Sequence, residues 1–266
     1  MGALVLAEGG TFTPPGAEAF ELPPLFGSGY WGEFTKPMLL AIIAVVLILG
    51  YFLVASRKLK VVPTKGQFIA ESLYDFSRNS ITRDQIGAKE FKPYIPLVLA
   101  LFTFCLVNNL FGIIPFFQFP TLARIGFPLA MSLLVVYPVY HFVGIRKHGL
   151  GGYLKKELAP AGVPGFVLPL YSLIEFATKF FITPLTLAIR VFAAMFAGHL
   201  IIVVFTLGGS FLLTETSSWA LKPVSLVAWI MAILMTFLEA FIQILQAYIF
   251  ALLSAGYIGA ALSAEH

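Results

Sequence analysis

Apolar positions in this chain come in long, nearly unbroken runs rather than alternating with polar ones. A bilayer core about 30 Å thick is crossed by about 20 apolar residues of helix. The uncharged stretch from Pro37 to Ser56 predicts one upright span, Tyr94 to Pro115 a second and Phe127 to Val143 a third. The segment between the first two differs in kind. It holds Arg57, Lys58, Lys60, Lys65, Arg78, Arg83, Lys89 and Lys92 against Glu71, Asp75, Asp84 and Glu90. Within it Phe68, Ile69, Leu73, Tyr74, Phe76 and Ile81 recur at roughly helical spacing, which predicts an amphipathic helix over about 66–88, lying at the membrane interface.

In the last third the apolar runs lengthen, from about Phe166 to Leu207 and from about Val224 to Leu262, with one polar break around Thr214–Lys222. As helices each is about 60 Å long, roughly twice the hydrocarbon thickness. Neither run has a polar turn that would return the chain through the membrane, and irregular backbone facing lipid would leave its N–H and C=O groups unpaired. Two long, strongly tilted antiparallel helices, about 166–207 and 224–262, are therefore predicted. Pro184 is placed to bend the first, and Gly256 and Gly259 to loosen the end of the second. The expected architecture is an all-α integral membrane protein, with a tail over 1–36 and a single membrane domain over 37–266.

Composition sharpens this picture. Only 11% of the residues are charged and 59% are hydrophobic, whereas soluble domains carry about 25% charged residues. The net charge of +4 is not a nucleic-acid footprint, because the basic residues gather in loops between apolar runs. Residues 57–92 and the loop with Arg146, Lys147, Lys155 and Lys156 are basic; the loop 116–124 holds only Arg124, and the tail sets Glu8, Glu18, Glu21 and Glu33 against Lys36. Positive-inside orientation then puts the N-terminus outside, with the basic segments and the C-terminus in the cytoplasm. The tail shows neither the pattern of a cleavable signal nor, at Gly2, a lipidation motif. A lone Cys105 in an apolar run excludes an internal disulfide and reads as a small buried or lipid-facing side chain.

Within the two long runs sit Glu175, Lys179, Arg190, His199, Glu239, Gln243 and Gln246. A charge near the bilayer centre costs several kcal/mol, so such residues face protein or water and have a task. Arg190 follows PLTLAI and precedes VFAAMFAGHL, too far from either apolar boundary to snorkel, and it stays protonated. Thr186, Ala193, Ala194 and Ala197 near its face let another helix approach closely. Its guanidinium is either presented to such a partner or closed in an ion pair with Glu239. His199 and Glu239, titratable groups on opposite long helices, form either a water-lined proton path in the outer half of the membrane or a hydrogen-bonded pair without a transport role.

Glu239, Gln243 and Gln246 are spaced i, i+4, i+7, and Ser254 continues that polar stripe. Glu175 and Lys179, at i, i+4, either neutralise one another or serve proton exit. Asn108 and Asn109 are expected to make interhelical hydrogen bonds. Enzyme motifs are absent: there is no Walker loop, GxGxxG, HExxH or GxSxG. His141, His148, His199 and His266 offer no facing intramembrane pair for haem. No cofactor and no metal site are expected.

PLTLAIRVFAAMFAGHL, followed about forty residues later by FLEAFIQILQAYIFALLS, resembles subunit a of the F-type ATP synthase membrane sector, and NNLFGIIP is similar to that family's NLxGLxP segment. The resemblance covers most of residues 65–266 and implies a proton-translocating stator, itself non-catalytic, in the inner (plasma) membrane of a bacterium. Implied partners are the ring of c subunits, subunit b of the peripheral stalk, the other subunits of the complex and the lipid bilayer. Arg190 matches the family's essential arginine facing the ring, and Gln246 the glutamine packed near it. His199 stands where relatives often have Glu, and Glu239 where they often have His, so the titratable pair looks exchanged between helices. The family's acidic residues after the second span are missing here, where Thr121 and Arg124 stand. A secondary transporter would show internal repeats with broken helices, which this chain lacks. A membrane scaffold of an electron-transfer complex would not need Arg190 among small residues.

Overall fold

A computed structural model describes residues 12–27, 33–57, 59–158, 166–215 and 219–263; Glu8, Lys58 and His266 lie outside them. The described chain is helical. In order it forms α1 (Lys36–Ser56), α2 (Lys65–Asp75, continued through Phe76–Arg83 and Asp84–Ile86), α3 (Lys92–Leu110), α4 (Gly126–Leu158), α5 (Leu168–Thr214) and α6 (Trp219–Leu262). All but α2 are long and apolar enough to cross a bilayer, and the protein is a multi-pass membrane protein. Pro37, Pro93, Pro169 and Pro223 stand in first turns, where the missing N–H costs nothing. Thr64 caps α2 by accepting from the Gln67 amide at 3.4 Å. Residues 12–27, residues 111–125 and the facing ends of α5 and α6 at Thr214 and Trp219 share one end, here the tail face; residues 59–92, the α4 C-terminus and Ser263 share the other, the basic face.

Two prolines reshape the helices around them. Pro138 follows a π-helical stretch at Met131–Val136, and Pro184 follows one at Thr178–Ile182. A proline ring collides with the carbonyl four residues earlier, here Leu134 and Phe180, and widening the turn moves that carbonyl aside. The Thr183 hydroxyl donates to Thr178 O at 2.9 Å across its wide turn, and Ser132 donates to Pro184 O at 2.8 Å, tying the two distortions together. At Pro184 the structure shows this local rewinding within a continuous helix, Leu168–Thr214.

The ends of the elements differ from the sequence pattern where backbone geometry overrides hydropathy. α3 stops at Leu110 rather than Pro115, because residues 111–118 wind through turns that end at Gln118, φ 45°. α4 runs on past Val143 to Leu158 with a sharp reversal at Gly149, φ 70° and ψ 161°, a conformation glycine alone adopts cheaply. The reversal brings Tyr153 against Gly144, where a Cβ would strike its ring. α5 and α6 exceed the expected runs and pack antiparallel: Ser225 Oγ donates to Gly209 O at 2.7 Å near one end, and Glu239 meets Gly198 further along.

The glycines of α6 do not loosen it. The helix is continuous to Leu262, and a Cβ at Gly259 would collide with Gln85 O, so this glycine admits the end of α2 instead. α2 turns Gln67, Ala70, Ser77, Ile81 and Thr82 inward, while Phe68 and Ile69 stay exposed. Its inner face is thus mostly small and polar, apart from Ile81, Leu73 and Phe76, whose ring reaches Phe102 and Tyr248 at 5.4 and 5.7 Å. On α1, Ile42, Val46, Leu49, Leu53 and Val54 are exposed, a surface suited to lipid or to another membrane helix.

Candidate functional site

Arg190 lies on the outer side of α5, exposed together with Thr186, Ala193 and Ala197, whereas Leu187, Ala188, Val191 and Met195 on the opposite side are buried. Among the described residues no carboxylate lies within 4.0 Å of its guanidinium. The ion pair with Glu239 is not formed. Glu239 instead points along its own helix, where Gln243 Nε2 donates to Oε1 at 3.0 Å.

Toward the tail face a polar cluster fills the seam between α5, α6 and α3. Glu239 is 2% exposed and Gln243 is fully buried. A Cβ on Gly198 would stand 3.2 Å from Glu239 Cγ, so glycine is what admits this carboxylate beside His199. From α3, Asn109 Nδ2 donates to Gln243 O at 3.1 Å, the interhelical bond expected of that residue; Asn108 Nδ2 serves its own helix at Phe104 O, 2.8 Å. Gly112 leaves the space that the Gln243 amide occupies. His199 Nδ1, Glu239 Oε2, Gln243 Oε1, Gln246 Oε1, Asn108 Oδ1, Asn109 Oδ1 and Thr121 Oγ1 are buried without a hydrogen-bond partner. Leaving one such atom unpaired costs about 1–3 kcal/mol, so the meeting of those of His199, Glu239, Gln243 and Asn109 in this seam is not what packing alone selects. His199 and Glu239 are brought onto facing turns without a direct bond. Beside Glu239 a groove of about 220 Å³ opens between Ala194, Ala197, Gly198 and Leu238.

Toward the basic face lies a second concavity, of about 360 Å³, lined by Tyr137, Tyr140 and Glu157 of α4, Tyr171, Lys179 and Thr183 of α5, Tyr257 of α6 and Ser263 just past its end. Here the charges are matched. Lys179 Nζ sits 2.7 Å from Glu157 and 3.1 Å from Glu175, and Tyr140 donates to Glu157 at 2.8 Å. The i, i+4 pair foreseen for Glu175 and Lys179 exists, yet the closer and more deeply buried partner is Glu157. Sequence reasoning missed Glu157 because it stands in a basic stretch, KKEL, that reads as a loop. Lys156 Nζ donates to Ala260 O at 2.9 Å, closing the C-terminus of α6, where a cation is favoured.

Fold and site together define a multi-pass helical membrane protein with charged and titratable side chains set inside helices of bilayer length. The family described as ATP synthase A chain matches residues 38–259. The chain is 44% identical over 269 residues to an ATP synthase subunit a from Nocardioides sp., covering 98% of this chain and 96% of that one. It is 42% identical over 263 residues to its counterpart in Pseudarthrobacter chlorophenolicus, covering 99% and 98%, and 40% identical over 265 residues to that of Streptomyces lividans, covering 97% and 91%. The chain belongs to the ATP synthase subunit a family, membrane subunits of the F0 sector.

Proposed function

We propose that the chain is the proton-carrying stator of an F-type ATP synthase, with Arg190 facing the ring of c subunits between two offset half-channels. The observation that carries this reading is the position of Arg190 between the basic-face cavity, walled by Glu157 and Lys179, and the tail-face groove, an apolar cleft in which Glu239 is the one charged lining group. Thr183 lines the basic-face cavity and Ala197 the tail-face groove, each seven residues from Arg190, or about 10 Å along the helix. A positive-inside arrangement makes the tail face the outer side and the basic face cytoplasmic.

The mechanism follows from charge. A ring carboxylate is neutral while it faces lipid, because an ion there costs several kcal/mol. Arriving at α5, it loses its proton into one cavity, and Arg190 stabilises the resulting anion in a low-dielectric setting. The site is then reprotonated from the other cavity as the ring moves on. Ala193 and Ala197 keep the stator surface low enough for a rotor helix to slide past. The fixed guanidinium repels a proton that would run directly between the cavities. Each charge moved through 100 mV is worth about 2.3 kcal/mol, which biases the direction of rotation.

In this account Glu239 and His199 pass protons through the tail-face seam, Gln243 and Gln246 line it, and Glu175 with Glu157 and Lys179 borders the cytoplasmic path. The stator makes no ATP itself; its partners are the c-ring, subunit b, the remaining subunits and lipid. The test is proximity. In a Cys105→Ser background, cysteines at Ala194 and Ala197 are expected to crosslink to single cysteines on the outer helix of subunit c in the intact complex. Absence of crosslinking from both positions overturns the assignment of this face.

A further inference from the structure

The N-terminal tail holds a buried aromatic that the proton path, as described, does not use. In residues 12–27 most side chains are exposed, yet Phe20 is only 5% accessible. It ends a single 3₁₀ turn, Ala17–Phe20, and its ring sits 4.5 Å from Phe196, 6.0 Å from Phe119 and 5.7 Å, edge-on, from His199. A second anchor, Phe12, lies 5.6 Å from Phe211 and against Gly208. The tail therefore follows the last turns of α5 inward, from position 211 to position 196, a descent of about 20 Å. Phe20 ends up over His199, whose Nδ1 is buried without a partner.

What holds the tail there is apolar contact alone. Its backbone bonds are internal (Ala19 to Gly16 at 3.1 Å, Glu21 to Glu18 at 3.0 Å) or made to its own continuation, Leu25 to Phe34 at 2.7 Å. Among the described residues no side-chain hydrogen bond or ion pair joins residues 12–27 to the helices. Burial of that ring, with Phe12 on Phe211 and Leu22 packed against the core, is what resists its lifting. A segment with exposed Glu18 and Glu21 around one buried ring has the build of a flap.

We propose that residues 12–27 are a lid over the outer proton path, with Phe20 the plug that covers His199 and must lift for protons to reach it. This rests on the reading of the tail-face seam as the inlet. It assigns the tail a part in the rate of proton flow that bulk and apolarity at position 20 determine.

Locking the lid tests it. In the Cys105→Ser background, Phe20→Cys with Phe196→Cys is oxidised in the assembled complex, and passive proton conduction through F0 is measured after F1 is stripped. The lid requires at least a tenfold fall on oxidation, reversed by dithiothreitol, while either single cysteine variant responds to neither reagent. Phe20→Ala is expected to raise labelling of Phe196→Cys by a membrane-impermeant thiol reagent at least fivefold, and Phe20→Leu to leave it near the parent rate. Unchanged conduction in the locked, fully assembled complex overturns the lid. His199→Ala, measured alongside, separates the two readings: if it leaves conduction unchanged, the inlet assignment itself fails, whereas a conducting locked complex with a slow His199→Ala variant condemns only the lid.

Discussion

The two polar regions of the molecule are built on opposite terms. On the basic face Glu157, Glu175, Lys179 and Tyr140 satisfy one another at 2.7–3.1 Å. On the tail face Glu239 shares one bond with Gln243 and leaves its second oxygen, together with His199 Nδ1 and three amide oxygens of Gln243, Gln246 and Asn109, without a partner. A closed ion cluster has its donors and acceptors already matched. A seam of unpaired donors and acceptors on flexible side chains, admitted by Gly112 and Gly198, suits groups that exchange protons with water. On the proposed reading, the difference assigns proton transfer to the seam and leaves the cluster as a shaped wall of the other path.

That contrast can be broken at graded cost. Glu239→Gln keeps size and the Gln243 contact but removes the titratable oxygen, and should lower ATP-driven proton pumping and passive conduction at least tenfold with normal assembly; unaltered flux would remove Glu239 from the path. Lys179→Met leaves the Glu157 carboxylate buried with only Tyr140, which should cost about 3 kcal/mol and show as reduced thermal stability of the purified complex. Glu157→Gln added to it should recover most of that loss, and failure to recover would mean that the cluster is not a matched set. Gly259→Ala should cost about 1–3 kcal/mol by forcing Gln85 away from α6, seen as faster proteolysis near residues 83–92, with little change in flux.

The spans were legible because lipid allows only uninterrupted apolar helix, so Pro37–Ser56 or the runs around Arg190 and Glu239 announce themselves. The same rule exposed Arg190, His199, Glu239, Gln243 and Gln246, since polar side chains stand out in such runs. Glu157 stayed hidden because the reversal at Gly149 turns a basic, loop-like stretch into packed helix. Gly256 and Gly259 were misread as flexibility when their role is close approach, a property of the neighbour, Gln85, that no local pattern carries. The end of α3 at Leu110 depends on the turn geometry up to Gln118, not on hydropathy. Phe20 lies in a tail of prolines, glycines and glutamates, where one aromatic gives no periodic signal.

The central claim is that Arg190 is an uncompensated charge acting on a passing rotor carboxylate rather than one half of a structural pair. The most direct measurement is ATP-driven acidification by membranes carrying Arg190→Ala in fully assembled enzyme. The account predicts that pumping is abolished while F1 still hydrolyses ATP. Acidification at the parent rate would contradict it.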